Sequence, residues 1–492
     1  MKKRLLFLFI PFISFAQWTQ VGGDIDGEFA NDQSGRKTCI NGDGSIVAIG
    51  ATQNSSAAGQ VRIFENVSGT WTQVGDDIIG ESNAHNSGKS LDINDDGSIV
   101  AIGAQLFGEY GVSISIGHVR VYQNISENWI QIGNDIIGDS NGDQLGQSVS
   151  INGNGNVVAV SATNNYNGLI NTGYVKIFEF VSNDWIQIGE TIYGEFPGGL
   201  AKSSISLNND GSIIAIGAPN NNESGLSAGS VRVFQNISGT WTQIGDDIDG
   251  EAAGDNSGIS VSLNNPGNIL AVGAYLNDGN GHNSGHVRVF ENISGSWVQI
   301  GNDIDGEAED DASGESVSLN AEGNILAVGA STNDGNGFNS GHARIYQNNS
   351  GQWQQIDNDI DGESAGDGSG ISVSLNDTGN IVAIGAWVND DNGNNSGHVR
   401  VFNNQLLGVD EQNLSNLVLY PNPTNGLTFI KLEDASNNLK LNMYNMLGQN
   451  VMTKTFSQTN TIQFNTGDLS KGVYVVNLST ENEEIDLKLI VN

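Results

Sequence analysis

The 492-residue sequence has a single cysteine, Cys39, which excludes an intrachain disulfide. Cys39 stands in the apolar run TCINGDGSIVAIG, and this setting favours a small buried side chain over a nucleophile. Proline is also scarce, with 6 residues, whereas glycine is abundant, with 66. Apolar residues make up 37% of the chain and are mostly Val, Ile and Ala in short runs. This composition favours many short strands joined by tight turns over helices.

Positive charge is scarce as well. The formal net charge is −37, and residues 17–416 contain only 11 Lys and Arg residues together. A body this acidic repels nucleic acid phosphates and anionic lipid, so nucleic acid is excluded as a partner. Such a surface suits cations or cationic partners, and the alternative is an acidic surface that only confers solubility.

Long hydrophobic runs are missing from the sequence. The apolar stretch Leu5–Phe12 is too short to span a bilayer. It follows the positively charged Lys2–Arg4 and precedes Ser14–Ala16, a plausible cleavage site. Residues 1–16 are therefore predicted to be a secretory signal peptide. We expect an exported protein, soluble or surface-attached, with no transmembrane span in its mature form.

The sequence contains an internal repeat. One period, from Gly258, contains ISVSL, the turn NNPG, the apolar run NILAVGA, a long polar loop, HVRVFEN, the turn ISGS and WVQIGNDI. These segments predict four strands with tight turns, and four antiparallel strands repeated around an axis form a propeller blade. Trp387 lies outside the repeat. The seven Trp residues that open a W-x-Q-[VI] run are at positions 18, 71, 129, 185, 241, 297 and 353.

The repeat is cut at both ends of the chain. Seven sets of the first three strands are present, but a fourth strand follows only the first six, and a spare fourth strand begins at Trp18. We therefore predict an all-β, seven-bladed β-propeller over residues 17–403, closed by the N-terminal strand. Closure of this kind leaves few exposed strand edges. The alternatives are a linear array with frayed ends or a solenoid, and the matching numbers of third and fourth strands favour the ring.

Three residues of the repeat are interpreted as structural. The repeated Trp is expected to be a packing anchor, with a sugar-stacking platform as the alternative. The repeated cation of the third strand is expected to form ion pairs with the Asp-Gly-Glu segment, with an anion-binding ring as the alternative. A histidine at the start of the third strand occurs in four blades. The repeated cations are Arg62, Arg120, Lys176, Arg232, Arg288, Arg344 and Arg400. The histidines are His118, His286, His342 and His398.

The pattern S-V-S-L-N-x-x-G-x-I-x-A-[IV]-G-A followed by G-x-V-R-V-F resembles the FG-GAP repeat of integrin alpha propellers, over roughly residues 20–403. The match is poor at the opening Phe-Gly, and the full Gly-Ala-Pro occurs once, at Gly217–Pro219. Blades of that family hold calcium in the hairpin between the first two strands, where alternate side chains offer oxygen ligands. The resemblance points here to Asp92, Asn94 and Asp96, although Val100 replaces the final acid.

A second set of oxygen atoms lies in the long loops between the second and third strands. Loops on a rigid scaffold are the usual seat of binding, and hard oxygen atoms suit calcium, the one cofactor that the sequence suggests. The alternative is that Asp and Asn serve here only as turn formers. The residues are Asp278, Asn280, Asp334, Asn336, Asp390 and Asn392.

After Phe402 the repeat stops. Residues 404–416 are predicted to be a linker, and the alternating runs of residues 417–492 predict a small β-sandwich. This module resembles the type A C-terminal sorting domain of the type IX secretion system at Tyr420–Pro423 with Gly426, at Leu447–Gln449 and at Gly472–Tyr474. The resemblance implies export to the periplasm, passage through the outer membrane by the type IX machinery, and release or attachment at the cell surface.

No catalytic or metal-ligand cluster stands out from the repeat. We therefore expect a secreted or cell-surface binding or adhesion protein with an extracellular glycan or protein ligand, and not an enzyme. The alternatives are a secreted glycan hydrolase or lyase on a propeller scaffold, or a purely structural surface or matrix protein. An enzyme site would be sought in the irregular second and third blades, at QLFGEYGVSISIGH and TNNYNGLINTGY.

Overall fold

The regular structure of the chain is almost entirely β-strand. The computed structural model describes residues 18–108, 115–164, 171–200, 202–404, 418–420, 424, 426–436, 439–445, 449–456, 459–467, 469–479 and 484–491. The predicted signal peptide and nearly all of the predicted linker lie outside the described residues. The chain divides into two compact units, Met1–Gly408 and Val409–Asn492. Among the described residues, no helix has both the length and the apolar character needed to cross a membrane.

Seven antiparallel sheets of one topology make up the described part of the first unit. In each, the first three strands are neighbours in chain order, and the fourth strand is split into two short segments that both pair with the third. The split falls at a tight turn, for example at Gly75 with φ of 74°. A Cβ at Gly75 would lie 3.0 Å from Cδ1 of Trp129, because the indole of the next sheet packs against this turn. Repeated sheets of four strands are the architecture of a β-propeller.

The strands follow one another through the seven sheets with short connections. The N-terminal segments are β1 (Thr19–Gln20) and β2 (Ile25–Asp26). The first sheet contains β3 (Ser34–Ile40), β4 (Ile46–Ala51), β5 (Gln60–Val67), β6 (Thr70–Gln73) and β7 (Ile78–Ile79), with the helical turn α1 (Asn54–Ala57) after β4. The second contains β8 (Ser90–Ile93), β9 (Ile99–Ala104), β10 (His118–Asn124), β11 (Trp129–Gln131) and β12 (Ile136–Ile137). The third contains β13 (Leu145–Ile151), β14 (Val157–Ala162), β15 (Tyr174–Val181), β16 (Asp184–Gln187) and β17 (Ile192–Tyr193).

The remaining four sheets repeat this order. The fourth contains β18 (Ser204–Leu207), β19 (Ile213–Ala218), β20 (Ser230–Ile237), β21 (Thr240–Gln243) and β22 (Ile248–Asp249). The fifth contains β23 (Ser260–Leu263), β24 (Ile269–Ala274), β25 (His286–Ile293), β26 (Ser296–Gln299) and β27 (Ile304–Asp305). The sixth contains β28 (Ser316–Leu319), β29 (Ile325–Ala330), β30 (His342–Asn348), β31 (Trp353–Gln355) and β32 (Ile360–Asp361). The seventh contains β33 (Ser369–Leu375), β34 (Ile381–Ala386) and β35 (His398–Asn403), together with β1 and β2.

The hydrophobic core lies between neighbouring sheets. The second strand of each sheet is largely apolar, with Ser161 of β14 as an exception, because other sheets cover both of its faces, and every residue of β24 is buried. Ala271 and Val289 of the fifth sheet pack against Leu319 and Val328 of the sixth. Full burial of a Val or Leu side chain contributes about 1.5–3 kcal/mol, so each junction between sheets is a substantial source of stability.

The seventh sheet takes its fourth strand from the other end of the chain. Thr19 pairs with Asn403, and Ile25 pairs with Val399. Trp18 is 7% exposed and packs with Phe402 and other apolar residues of the sixth and seventh sheets. The strand after Trp18 therefore lies beside the GHVRVF segment, as the cut repeat predicts.

The innermost strands contact one another in the order β3, β8, β13, β18, β23, β28 and β33, and β33 contacts β3. The turns that follow these strands are joined by backbone hydrogen bonds of 2.9–3.1 Å, each turn donating an N–H to the carbonyl of the next. The last bond of the series returns to the first turn. The donors in order are Gly42, Asp95, Gly153, Asn209, Asn265, Ala321 and Asp377, and Asp377 donates to Gly42.

The second unit contains two sheets in its described residues. Ile430 and Phe464 of the smaller sheet pack with Leu441 and Val476 of the larger one, so the unit is a two-layer β-sandwich. The smaller sheet contains β36 (Val418–Tyr420), β37 (Leu427–Ser436) and β40 (Thr459–Asn465). The larger contains β38 (Leu439–Asn445), β39 (Asn450–Phe456), β41 (Gly472–Ser479) and β42 (Glu484–Val491).

Candidate functional site

The innermost strands all begin at the same end of the first unit. Within a sheet, the first and third strands run in the same direction, because each is antiparallel to the second. Parallel bridges join the start of one third strand to the start of the next first strand, for example Gly229 to Ser257. The residues that open the seven innermost strands are therefore gathered at one end of the unit, although they are far apart in the sequence.

Four of the five charged residues at these strand starts are cations. They are Arg36 and Lys37 in the first sheet, Lys89 in the second and Lys202 in the fourth, and the fifth residue is Glu315 in the sixth. We call these five residues the strand-start cluster. Seven of the 11 cations in residues 17–416 occupy the repeated position in the third strand, and the strand-start cluster contains all of the other four.

The charges of the strand-start cluster act on one another. Burial lowers the pKa of Lys89 to about 8, and the positive charges of Arg36, Lys37 and Lys202 act in the same direction. Burial raises the pKa of Glu315, while a hydrogen bond from Ser331 and the charges of Arg36 and Lys89 oppose this shift. One carboxylate therefore faces several cations, and a second anion would find an uncompensated positive charge here.

Two aromatic side chains lie beside the strand-start cluster. Trp387 and Tyr275 each directly follow a second strand, and both are partly buried. The guanidinium carbon of Arg36 lies 4.4 Å from the ring centroid of Trp387, which is a cation–π distance. Burial raises the pKa of Tyr275, and the negative charge of Glu315 adds to this effect. Aromatic faces next to cations suit a ligand that carries both a ring and a negative charge.

Lys202 has an unusual backbone conformation. Its φ is 64°, in the left-handed region that side chains with a Cβ seldom adopt. The six other sheets have glycine at this position, all with positive φ. A left-handed conformation costs a non-glycine residue about 1–2 kcal/mol, and such strain is common at functional sites. The six glycines are Gly35, Gly88, Gly146, Gly258, Gly314 and Gly370.

The repeated cations of the third strands join neighbouring sheets, as predicted. Arg288 donates a hydrogen bond to the carbonyl of Asp249 in the preceding sheet, at 2.6 Å, and lies 3.6 Å from the carboxylate of Glu251. Its guanidinium carbon also lies 5.4 Å from the ring centroid of Phe290. Arg232, Arg344 and Arg400 make the equivalent contacts. Arg62 donates to the carbonyl of Asp26, Arg120 pairs with Glu81 and Lys176 pairs with Asp139, each across a junction. All seven repeated cations are therefore engaged at the junctions between sheets.

The repeated Trp residues also link neighbouring sheets. Trp71 donates its indole N–H to the carbonyl of Val21 at 2.8 Å, and Trp241 donates to Ile188 at 3.0 Å. Trp129, Trp185 and Trp297 make the same bond to the preceding sheet. This geometry is that of the predicted packing anchor.

The three hairpin residues predicted to bind calcium take part in local hydrogen bonds. The carboxylate of Asp92 accepts hydrogen bonds from the backbone N–H of Ile151, at 2.9 Å, and from the Ser150 hydroxyl. The Asn94 side chain accepts from the N–H of Ile99 and donates to Asp96. Burial raises the pKa of Asp92 to about 6. Calcium binding at Asp92, Asn94 and Asp96 stays a prediction.

The six loop residues also have defined partners. Asp278 accepts a hydrogen bond from the N–H of Asn283 at 2.8 Å, and the amide of Asn280 donates to the carbonyls of Gly306 and Glu307. Asp334 and Asn336 do the same in the sixth sheet. In the seventh, Asp390 accepts from Asn395, and Asn392 donates to Gly27. These bonds fasten each loop to the connection that leaves the fourth strand, and calcium binding here also stays a prediction.

The strand-start cluster was missed by the sequence interpretation. Arg36, Lys89 and Glu315 occupy one position of the repeat, and Lys37 and Lys202 lie one residue to either side of it. Each replacement taken singly resembles ordinary variation. The signal would have come from superposing the seven repeats at the residues just before S-x-S-L. In that superposition, the four cations that are not in a third strand occupy the same or adjacent positions of the repeat.

Two family models match parts of the chain. The FG-GAP repeat matches residues 248–290 and 360–402, and the secretion system C-terminal sorting domain matches residues 418–492. The chain therefore carries FG-GAP repeats followed by a type IX secretion sorting domain. The sorting domain indicates export and an extracellular or cell-surface location, and it implies interaction with the type IX secretion machinery. No match to the chain is found among curated proteins.

Several solved structures are similar to the chain at low sequence identity. The hydrazine synthase of Kuenenia stuttgartiensis is 13% identical, and the match covers 79% of this chain and 99% of the other, with a TM-score of 0.49. U3-55K is 13% identical over 78% of this chain and 100% of the other, with a TM-score of 0.46. A putative 6-phosphogluconolactonase from Bacteroides uniformis ATCC 8492 is 12% identical over 66% and 85%, with a TM-score of 0.44.

Proposed function

We propose that this chain is a secreted or cell-surface binding protein whose strand-start cluster holds an acidic glycan. The observation that carries the proposal is the gathering of Arg36, Lys37, Lys89 and Lys202 at one end of the innermost strands, in a chain with a net charge of −37. A ligand with carboxylate or sulfate groups would neutralise the excess positive charge there. A signal peptide at residues 1–16 and the sorting domain would deliver the protein to the extracellular side.

The scaffold in this proposal is a closed ring of seven blades, with residues 17–403 as the propeller and residues 404–416 as the linker. Closure is supported by the pairing of β1 and β2 with β35 and by the contact of β33 with β3. It is also supported by the series of backbone hydrogen bonds that returns to Gly42. In such a ring, the strand-start cluster would surround one mouth of the central channel.

The charge distribution favours a compact anionic group over a large anionic surface. Most of the molecule is acidic and would repel a polyanion at long range, whereas the cations of the strand-start cluster act at short range. Trp387 and Tyr275 offer ring faces next to these cations, and sugar rings pack on aromatic faces. A uronic acid or sulfated sugar, presented as a chain end or side branch, meets both conditions.

A glycan-active enzyme is the second candidate. It is favoured by the surroundings of two residues, since burial lowers the pKa of Lys89 to about 8 and raises the pKa of Glu315. A lysine that is partly neutral near physiological pH can act as a general base. Cleavage of an acidic polysaccharide by the purified protein, lost in Lys89→Gln, would support this candidate over a purely binding role.

Calorimetric titration of the mature chain with oligogalacturonate, alginate oligomers and chondroitin sulfate tests the proposal, with dextran as the neutral control. Lys89→Gln and Arg36→Gln should each weaken binding about tenfold, as expected for loss of one charge-assisted contact. Lys440→Gln is the matched control, because Lys440 is exposed in the second unit and the change in net charge is the same. Product analysis of the same mixtures by chromatography detects cleavage.

Two results would contradict the proposed function. Equal affinity of the wild type and Lys89→Gln for every acidic glycan would remove the strand-start cluster from the binding site. Absence of binding to any acidic glycan, with the protein folded by circular dichroism, would favour the structural surface or matrix protein.

A further inference from the structure

Clusters of one histidine and two or three carboxylates repeat at the junctions between the later sheets. In each cluster, one possible ligand atom per residue lies within 4.8 Å of the others. The clusters share no residue with the strand-start cluster or with the residues predicted to bind calcium, although Asp391 lies between Asp390 and Asn392 in the chain. They are Glu251, His286 and Asp303; Glu307, His342 and Asp359; and Asp24, Glu363, Asp391 and His398.

The repeat builds each cluster from two adjacent sheets. In the second cluster, Glu307 follows β27 of the fifth sheet, His342 begins β30 of the sixth, and Asp359 lies between β31 and β32. The third cluster has Asp24 at the position equivalent to Asp359, on the N-terminal segment between β1 and β2. Asp391, from the loop between β34 and β35, is a fourth possible ligand there.

The Nδ1 atoms of His342 and His398 are buried without a hydrogen-bond partner, as is that of His118 in the second sheet. His342 and His398 are 1% and 0% exposed. Buried polar atoms without a partner are rare in proteins, and a neutral imidazole nitrogen offers a lone pair to a metal ion.

The spacing of the possible ligand atoms suits a shared ion better than a direct bond. Nδ1 of His342 lies 3.6 Å from Oδ2 of Asp359, and Nδ1 of His398 lies 4.0 Å from Oε2 of Glu363. Both distances are too long for a hydrogen bond. Two ligand atoms that are each about 2.1 Å from a tetrahedral zinc ion lie about 3.4 Å apart. The carboxylates are more exposed than the imidazoles, so an ion can enter from solvent.

The second sheet has a histidine at the same position but uses its carboxylates differently. Arg120 forms ion pairs with Glu81, at 2.5 Å, and with Asp135, at 2.8 Å, beside His118. In the later junctions the equivalent Arg–Glu distances are longer, at 3.6 Å for Arg288, 3.8 Å for Arg344 and 3.6 Å for Arg400. The carboxylates of the later junctions are therefore less tightly held by arginine, and His118 provides an internal comparison.

We propose that these three junctions bind divalent transition-metal ions of the zinc type through the imidazole Nδ1 and the carboxylate oxygens. Imidazole with carboxylates is a ligand set for zinc, whereas calcium takes oxygen ligands. The cluster at the seventh sheet has four possible ligands and binds most tightly. Because Asp24 belongs to the N-terminal segment, an ion bound there also fastens that segment to the sixth and seventh sheets.

Zinc titration of the chelator-treated mature chain, followed by calorimetry, tests the proposal. We expect three ions per chain, and His286→Gln, His342→Gln and His398→Gln should each remove one. His118→Gln is the matched control and should leave three. Asp24→Asn changes only an exposed carboxylate, so its fold is expected to survive, and it should weaken the tightest site at least tenfold. Zinc should raise the Tm of the wild type but not of the triple histidine variant.

Three outcomes would overturn the proposal. One is the absence of zinc binding at about a hundred micromolar zinc, because a dissociation constant above that concentration would be weak even for an open site. Another is unchanged stoichiometry in a triple histidine variant that circular dichroism shows to be folded. The third is binding that disappears in His282→Gln, because His282 and Asp310 form an exposed pair at 3.1 Å and would then be an adventitious surface site only. None of these outcomes bears on glycan binding at the strand-start cluster.

Discussion

Lys202 occupies a position where the six other sheets have glycine. Replacing Lys202 by glycine is therefore expected to increase stability and to weaken ligand binding. Lys202→Gly should raise the free energy of unfolding by about 1 kcal/mol, because glycine adopts a φ of 64° without strain. The same change removes a cation of the strand-start cluster and should weaken acidic glycan binding about tenfold. Denaturant unfolding and calorimetry measure the two effects.

Lys202→Gln separates charge from backbone strain. It keeps a Cβ at the left-handed position, so the affinity should fall as in Lys202→Gly while the stability stays at the wild-type value. A gain in stability by Lys202→Gly with unchanged affinity would take Lys202 out of the ligand site.

Asp92 stands where most other innermost strands have a serine that accepts the same kind of interstrand hydrogen bond. Ser206, for example, accepts from the N–H of Leu263 at 3.0 Å, and Asp92 accepts from that of Ile151 at 2.9 Å. Burial raises the pKa of Asp92 to about 6, above the unfolded value of about 3.9. The stabilising contribution of protonated Asp92 is therefore complete below pH 4 and is lost as the pH rises through 6.

Asp92→Ser should remove this pH dependence. In calcium-free buffer at pH 8, the variant should be more stable than the wild type by about 3 kcal/mol, and the difference should vanish at pH 4. Denaturant unfolding at pH 4, 6 and 8 measures it. Parallel pH profiles would contradict the shifted titration of Asp92. Stabilisation of the wild type by calcium, lost in the variant, would instead support the predicted hairpin site.

At the scale of elements, the N-terminal segment has the largest predicted effect. Deleting residues 17–28 removes β1 and β2, exposes the edge of β35 and eliminates Trp18, which is 7% exposed. Loss of a buried Trp alone costs about 3–5 kcal/mol, so the Tm should fall clearly. A peptide of residues 17–28 added in trans should restore part of the lost stability. An unchanged Tm would rule out closure by this segment.

The elements themselves were largely readable from the sequence, because each strand follows a local pattern. The alternation in Ser260–Leu263 and the continuous apolar run of Ile269–Ala274 are local properties, and so is the spare strand after Trp18. The split of the fourth strand was not predicted. It depends on the close approach of Trp129 to Gly75, and these residues belong to different sheets.

At the scale of the whole molecule, the sorting domain makes the delivery of the first unit testable. The hydrophobic cores of the two units are separate, so removing residues 417–492 should leave the first unit folded. Without the sorting domain, the first unit should accumulate in the periplasm rather than outside the cell. Fractionation with immunoblotting, beside the full-length chain as control, measures the distribution. Normal amounts of the truncated protein in the medium would contradict the prediction.

The strand-start cluster could not be predicted from any single segment, for a reason that concerns the whole molecule. Arg36, Lys89, Lys202 and Glu315 are more than fifty residues apart from one another in the chain. They meet only because every innermost strand runs in the same direction. Local patterning determines the strands, whereas the strand-start cluster arises from the starts of several strands that are gathered at one end of the first unit.

The hydrogen-bonded turns that begin and end at Gly42 have a mechanical consequence. Each turn gives one bond and receives one, so a pull on any turn loads both of its neighbours, as in a hoop under tension. A protein outside the cell meets shear from flow. In the proposed closed ring, this series of bonds would spread such a load over all seven turns, and the junction between the seventh and first sheets would carry no less than the others.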